Sequence, residues 1–216
     1  PFASIQHAVD LARPGNKIVV EDGVYGPPPS CTNANESMAV TIKDAGTAAA
    51  PIVLRAEHRW CVILDAGMKC HSYINLGPRS AYWIIKGFDI KNGYNAGIWS
   101  NSRGGKHIVV TGNHIHNIGN RVNTTPEGEA GIYIDDAGVF TIDGNVFNDV
   151  GRSNVFTNSF DHGIYCHGKA TIINNVFYRA RSGWHIQTAK DFSGLIADNA
   201  FYGPNLYRGA PAKEGQ

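Results

Sequence analysis

The chain has 216 residues, of which 17% are charged, less than the roughly 25% usual in soluble proteins, and it contains 25 glycines. Its formal net charge of +1 gives no electrostatic basis for binding nucleic acid or an anionic membrane, and the sequence has no apolar run long enough to span a bilayer. The length fits one domain, and few charges with many glycines favour an all-β repeat protein.

The N-terminal segment predicts a short helix followed by a first strand. In SIQHAVDLA (4–12) the apolar residues recur at helical spacing, and RPGNKIVVEDGVYG (13–26) has the pattern of a turn and a strand. The helix is expected to cover the first coil, because the ends of a repeat protein need protection. We therefore expect a helical cap (1–16), coils (17–203) and a C-terminal tail (204–216). Since the sequence begins at Pro1 and not at a Met, a mature or trimmed product is expected.

The four cysteines form neither a CxxC pair nor a metal-ligand pattern. A disulfide among Cys31, Cys61 and Cys70 is conceivable, for example Cys31–Cys70, but the sequence leaves the pairing open. Cys166 lies on the apolar side of a predicted strand, so we expect it to be a buried free thiol.

The second half of the chain repeats one strand pattern. The copies are AGIWSNS (from 96), AGIYIDD (from 130), HGIYCHG (from 162) and GWHIQT (from 183). Each copy is followed by a second strand and a turn that contains Asn. No segment between the copies has the pattern of a full helix, so similar strands must stack in parallel, coil upon coil. This organisation is a parallel β-helix.

Two interior columns are predicted from this alignment. One turn position is shared by asparagines that can hydrogen-bond from coil to coil: Asn113, Asn145, Asn175 and Asn199. Two residues further on, the chain places an apolar column: Ile90, Ile115, Phe147, Phe177 and Phe201.

Three segments resemble the opening of the pectate-lyase-like right-handed β-helix proteins. They are PFASIQHAVDLARPGNKIVVEDGVYG (1–26), PIVLRAE (51–57) and YWIIKGFDIKN (82–92). The resemblance covers nearly the whole chain and implies an all-β, right-handed parallel β-helix with a short N-terminal capping helix. That superfamily includes lyases, hydrolases, epimerases and catalytically silent members, so the resemblance implies the fold more specifically than the activity. We expect a secreted or periplasmic protein whose partner is a polysaccharide or oligosaccharide.

Strand alternation predicts which side chains face solvent. Isoleucines such as Ile132 and Ile164 are expected in the interior, together with Trp184 and Ile186. Two outward rows are expected, the first of Trp99, Tyr133, Tyr165 and His185, and the second of Asn101, Asp135, His167 and Gln187. Exposed aromatic rows mark binding surfaces, and sugar rings stack on aromatic rings. We therefore predict a saccharide-binding groove, with Glu129 and Asp161 at its edge.

The resemblance also bears on which reaction the protein is expected to catalyse. DHGIYCHG (161–168) is similar to the Gly-His-Gly segment of polygalacturonases, which places that family's histidine at His162, and GWHIQT is similar to their Arg-Ile-Lys segment. The paired acids of that family are replaced by Ala96 and by Glu129-Ala130, so β-elimination on a uronic-acid polymer is the preferred hypothesis. The predicted catalytic residues are His162, His185, Tyr165, Tyr133, Asp135 and Arg181.

The substrate carboxylate needs a neutralising group in this hypothesis. Candidates are Arg181, Asn101, Gln187, or a calcium ion bound by Asp135 with Glu129 or Asp161. No cofactor is expected to be required. Three alternatives stay open: hydrolysis through Glu129, Asp135 and Asp161, a non-catalytic glycan-binding or structural module, and a transition-metal site of His162, His167 and His185.

Overall fold

In the computed structural model, which describes residues 2–100, 104–120, 128–152 and 160–203, the chain forms one short helix and 20 strands. The helix α1 covers Ile5–Leu11. The first sheet contains β1 (Lys17–Val20), β4 (Ile52–Ala56), β7 (Trp83–Lys86), β10 (Ile108–Thr111), β13 (Val139–Asp143), β16 (Lys169–Ile173) and β19 (Ser193–Ala197). The second contains β2 (Gly23–Tyr25), β5 (Val62–Asp65), β8 (Asp89–Lys91), β11 (His114–His116), β14 (Val146–Asn148), β17 (Val176–Tyr178) and β20 (Ala200–Tyr202). The third contains β3 (Met38–Ile42), β6 (Ser72–Leu76), β9 (Ala96–Ser100), β12 (Ala130–Ile134), β15 (His162–Cys166) and β18 (Trp184–Thr188).

Each coil contributes consecutive strands to the three sheets, and neighbouring strands within every sheet run parallel. The predicted fold class, an all-β parallel β-helix with a short N-terminal helix, is therefore confirmed. Within the described residues, the structure contains no helix with the length and apolar character needed to cross a membrane.

The helix α1 lies against the first coil. Ser4 caps it by accepting a hydrogen bond from the backbone N–H of His7, and the apolar face with Ile5 and Val9 is buried. The side chain of Gln6 accepts a hydrogen bond from the Thr41 backbone N–H and donates one to the Thr41 carbonyl. Since Thr41 lies on the edge strand β3, these bonds satisfy backbone groups that would otherwise be open to another chain.

The predicted asparagine column is present at the turn between the first and second sheets. The side chain of Asn145 accepts from the Asn113 backbone N–H and donates to the carbonyl of Val110 and to the side-chain oxygen of Asn175, all at 2.8–3.0 Å. The residue before each asparagine has positive φ, and glycine, asparagine or aspartate occupies it: Gly112 (64°), Gly144 (64°), Asn174 (56°) and Asp198 (54°). This left-handed residue turns the chain, and the asparagine beside it pairs the backbone groups that the turn leaves buried.

The predicted apolar column also forms. Ile90, Ile115, Phe147, Phe177 and Phe201 occupy equivalent positions on successive strands of the second sheet. The rings of Phe147 and Phe177 stack with centroids 4.7 Å apart and an interplanar angle of 7°.

Cys166 is a buried free thiol, as predicted, and burial raises its pKa to about 12.

The predicted register of the last copy is wrong by two residues. His162 pairs with Trp184, Ile164 with Ile186 and Tyr165 with Gln187, so His185 aligns with Gly163 rather than with Tyr165. A Cβ atom at Gly163 would lie 3.0 Å from the ring of Phe177, which shows that this position points into the coil. The ring of His185 accordingly lies 5.7 Å from that of Phe177 and 5.6 Å from that of Phe201.

Candidate active site

The outer face of the third sheet carries an aromatic row. Trp99, Tyr133 and Tyr165 occupy equivalent positions on β9, β12 and β15, as the sequence predicted. Trp99 and Tyr133 stack with ring centroids 4.0 Å apart, and Tyr133 meets Tyr165 edge to face at 5.7 Å. Gln187 continues this row in the position that was predicted for His185. The row is half-buried and forms one wall of a depression.

That depression is a groove of about 880 Å³. Its wall combines the aromatic row with residues that precede the third-sheet strands and with a loop from the first coil. The lining residues are Asn35, Glu36, His71, Tyr94, Asn95, Trp99, Gly128, Glu129, Ala130, Tyr133, Phe160, His162 and Tyr165. Aromatic faces, imidazoles, amides and carboxylates therefore converge in one concave site, the usual form of a ligand pocket.

The groove edge is a second column, built by the residue that directly precedes each strand. The backbone hydrogen bonds of the sheet continue through this position: Ala96 donates to the His71 carbonyl at 2.9 Å, and His162 donates to the Glu129 carbonyl at 2.7 Å. Asn95 lies between His71 and Glu129 in this column, because the backbone N–H of Ala130 donates to its carbonyl.

Sequence reasoning missed His71, Tyr94 and Asn95. His71 directly precedes β6, which reads SYINL and has Tyr73 where later copies have Gly97 or Gly131, so this strand was not aligned with them. Tyr94 and Asn95 directly precede β9. The signal that could have found His71 is Asn75, which pairs with Trp99 and continues the outward row.

A disulfide fixes one wall of the groove. Cys31 and Cys70, which are 39 positions apart in sequence, are bonded, while Cys61 and Cys166 are free thiols. Cys70 directly precedes His71, and Cys31 precedes the loop that carries Asn35 and Glu36. The bridge therefore ties that loop to the strand edge beside His71.

His162 is the most deeply buried histidine of the groove, with 2% of its surface exposed. Its ring lies 5.1 Å from that of Tyr165, which is on the same strand. Burial lowers the pKa of His162 to about 4, although the charge of Asp161 and a backbone hydrogen bond at Trp184 oppose the shift. The imidazole is therefore neutral at physiological pH and available as a proton acceptor.

Asp161, predicted at the groove edge, instead belongs to a fully buried ion pair. Its carboxylate accepts hydrogen bonds from the backbone N–H and Nε of Arg152 at 2.9–3.1 Å, and Nη2 of Arg152 lies 2.9 Å away. The hydroxyl of Ser182 and the backbone N–H of Glu129 donate to the same carboxylate. This carboxylate positions the start of β15 and does not line the groove.

Glu129 lines the groove as predicted, but Asp135 lies elsewhere. The strand β12 separates them, and six residues of extended chain span on the order of 20 Å. The predicted calcium site of Asp135 with Glu129 or Asp161 is therefore not formed, because the residues cannot share an ion at that separation. The outward His167 lies near Asp136, with Nδ1 to Oδ1 at 3.3 Å, and its ring is 4.7 Å from that of Tyr165.

The remaining predicted residues are dispersed. Arg181 lies in the turn before β18, where its backbone N–H donates to the Val150 carbonyl, and it is not part of the groove lining. Asn101 lies outside the described residues. Because His185 points into the coil, the predicted metal site of His162, His167 and His185 does not form.

Two other groups in the described part of the chain have the geometry to hold a metal: Asp89, His114 and His116, and the exposed Asp22, Glu57 and His58.

Comparison with known proteins gives structural neighbours but no sequence family. No family model matches the chain, and no curated protein matches it significantly. The structure is similar to the alginate lyase from Paenibacillus sp. str. FPU-7, with a TM-score of 0.43 and 17% identity over 93% of both chains.

Two longer proteins are also similar. A pectate lyase matches with a TM-score of 0.47 and 16% identity over 85% of this chain and 44% of its own. A mannuronic-acid-specific family 6 polysaccharide lyase from human gut microbiota matches with a TM-score of 0.44 and 13% identity over 88% of this chain and 48% of its own. The chain thus spans less than half of each of these two proteins. At these identities the likeness concerns the fold and assigns no activity to this chain.

Proposed function

We propose that the chain is a polysaccharide lyase that cleaves a uronic-acid-containing glycan by β-elimination in the groove of the third sheet. The observation that carries the proposal is the pair of His162 and Tyr165, whose rings lie 5.1 Å apart in the lining of a groove that also holds the stacked rings of Trp99 and Tyr133. A neutral imidazole and a phenol within reach of one sugar ring are the base and the acid that this reaction needs.

In the proposed reaction, His162 takes the proton at C5, alpha to the uronate carboxylate. The C4–O bond breaks as a C4–C5 double bond forms, and Tyr165 protonates the departing glycosidic oxygen. Trp99 and Tyr133 offer the flat apolar surface on which a neighbouring sugar ring stacks. Because Asp161 is committed to Arg152, it is not proposed as an acid or base.

The substrate carboxylate must be neutralised for the C5 proton to leave. The groove carries the carboxylates of Glu36 and Glu129 and the amides of Asn35 and Asn95, which are oxygen ligands of the kind that calcium takes. Calcium held by these side chains would supply positive charge at the substrate carboxylate. The Cys31–Cys70 disulfide supports an oxidising location, so secretion or periplasmic export is part of the proposal.

The test is a panel of mannuronate, guluronate and galacturonate polymers beside neutral glycans, each with added calcium or with chelator. We expect ultraviolet absorbance from the unsaturated product with at least one uronate polymer. His162→Gln and Tyr165→Phe should each lower the rate by about 10²- to 10⁴-fold. Tyr202→Phe, an exposed tyrosine on the second sheet, is the matched control and should leave the rate unchanged.

Two results would replace the proposal. New reducing ends without the unsaturated product would indicate hydrolysis, for which Glu36 and Glu129 are the carboxylates in the groove. Saturable glycan binding without any product would indicate a binding module, with Trp99 and Tyr133 as its main contacts.

A further inference from the structure

We infer that Asp89, His114 and His116 form a binding site for a divalent transition-metal ion on the second sheet. This site shares no residue with the groove of the third sheet, so the inference is independent of the proposed lyase activity. The ion expected from the ligand set is Zn²⁺ or a similar first-row metal, since two imidazoles and one carboxylate suit such ions.

The strand geometry brings the three ligands to one face. His114 and His116 are two residues apart on β11, so both side chains point outward from the same strand face. Asp89 lies directly across from His114 on the neighbouring strand β8. All three side chains are partly buried, with 16–20% of each side chain exposed, so an ion can reach them from solvent.

The donor atoms converge. Nδ1 of His114 lies 3.0 Å from Oδ2 of Asp89, and Nε2 of His116 lies 2.9 Å from Oδ1 of the same carboxylate. Two ligands each held at ~2.1 Å from a tetrahedral ion are ~3.4 Å apart, so a separation increase of a few tenths of an ångström admits the ion. The two imidazole rings stack at 4.2 Å with an interplanar angle of 16°.

A second observation points to a ligand at Nδ1 of His114. The other ring nitrogen, Nε2, lies 2.6 Å from the side-chain oxygen of Asn148, whose amide nitrogen donates to Asp149 at 2.6 Å. Asn148 is therefore oriented as an acceptor for the Nε2–H of His114. That contact fixes the ring and directs Nδ1 towards Asp89, as the outer partners of metal-bound histidines do.

The surroundings hold the cluster in place. The ring of Trp60 lies 5.5 Å from that of His114, and the Trp60 indole N–H donates to the Gly112 carbonyl at 2.9 Å. Asp149, which orients Asn148, is itself paired with Arg179. An ion bound here would link β8 and β11 directly and β14 through Asn148, so it would join three successive coils.

The test uses metal-stripped full-length protein titrated with Zn²⁺ or Co²⁺ alone, with calorimetry for affinity and Co²⁺ absorption for coordination by nitrogen. We expect saturable binding of one ion and a higher Tm. Asp89→Asn and His116→Gln should abolish binding, and Asn148→Ala should weaken it by about 10- to 100-fold. Ca²⁺ should not compete, because it prefers six to eight oxygen ligands.

The matched control is His58→Gln, which disrupts the exposed group of Asp22, Glu57 and His58 and should leave the binding intact. Binding that is lost in His58→Gln but kept in His116→Gln would overturn the assignment. Absence of saturable binding by the folded wild-type protein would also overturn it, and the cluster would then be a hydrogen-bonded Asp–His network.

Discussion

Two histidines that lie near an aspartate, His114 and His162, have pKa values shifted in opposite directions. On the second sheet Asp89 contacts His114 and His116. Burial alone would lower the pKa of His114, but its hydrogen bonds and the nearby negative charges together raise it. On the third sheet Asp161 directly precedes His162, yet burial prevails and lowers the pKa of His162 to about 4. Among the described residues, no carboxylate hydrogen-bonds to His162.

The difference follows from strand geometry. Residues adjacent in sequence on a strand point to opposite faces, whereas residues paired across strands point to the same face. Asp161 directly precedes β15 and its carboxylate meets Arg152, while Asp89 lies across from His114 on the neighbouring strand, 25 positions away in sequence. Arg152 is thus the residue that pairs with the carboxylate next to the groove histidine.

The largest expected effect comes from removing that residue. Arg152→Met should cost about 3 to 5 kcal/mol of unfolding free energy, because it leaves the Asp161 carboxylate buried without its cation. It should also raise the pKa of His162, since the charge of Asp161 is then uncompensated. Denaturant unfolding and an NMR titration of the His162 ring measure the two effects.

The matched control for Arg152→Met is Arg79→Met, which breaks the ion pair with Asp44. The side chains of Arg79 and Asp44 are 77% and 53% exposed, so the cost should stay within about 1 kcal/mol. Equal losses in the two variants would show that the Arg152 pair contributes no more than a surface contact.

Much of the fold was predictable because the coil interior constrains its residues strongly. Asn145 and Phe147 recur at fixed positions since each must match its neighbours above and below, and this repetition is visible in the sequence. The last copy was misaligned because Gly183 was matched with Gly163. The structure instead places His185 opposite Gly163. A side chain fits at His185 because the adjoining ring of Phe201 is 51% exposed and leaves room for it.

The candidate site was predictable only in part. The outward row of Trp99, Tyr133 and Tyr165 follows from alternation alone, and its position was predicted. The groove edge depends on the residue before each strand, and nothing local in the sequence separates Glu129, which lines the groove, from Asp161, which Arg152 neutralises. That distinction arises from a contact across nine residues of chain and needs the three-dimensional structure.

The second prediction concerns the pH dependence of stability. His162 has a folded pKa of about 4, below the value of 6.5 expected for an unfolded chain, so its contribution is fully present above pH 6.5. As the pH falls from 6.5 to 4, His162 binds a proton in the unfolded state but stays largely neutral in the folded state. This difference amounts to about 3 kcal/mol of lost stability.

His162→Gln should remove this component. Denaturant unfolding at a series of pH values should show that wild-type protein loses about 3 kcal/mol more than the variant between pH 6.5 and pH 4. Parallel stability curves for the two proteins would mean that His162 titrates normally, and the comparison with His114 would fail.

The smallest effect is expected at His185. The sequence predicted both His162 and His185 in the groove, and this variant tests whether His185 lies there. Its ring lies against Phe177 and Phe201 at the last described coils, and burial lowers its pKa. His185→Ala should cost about 1 kcal/mol and leave turnover within about twofold, because the side chain does not reach the groove. Ile132→Ala, at a fully buried position of the same sheet, calibrates the measurement at about 2 to 5 kcal/mol. Loss of turnover in His185→Ala at unchanged stability would place this ring back beside Tyr165 and contradict the observed register.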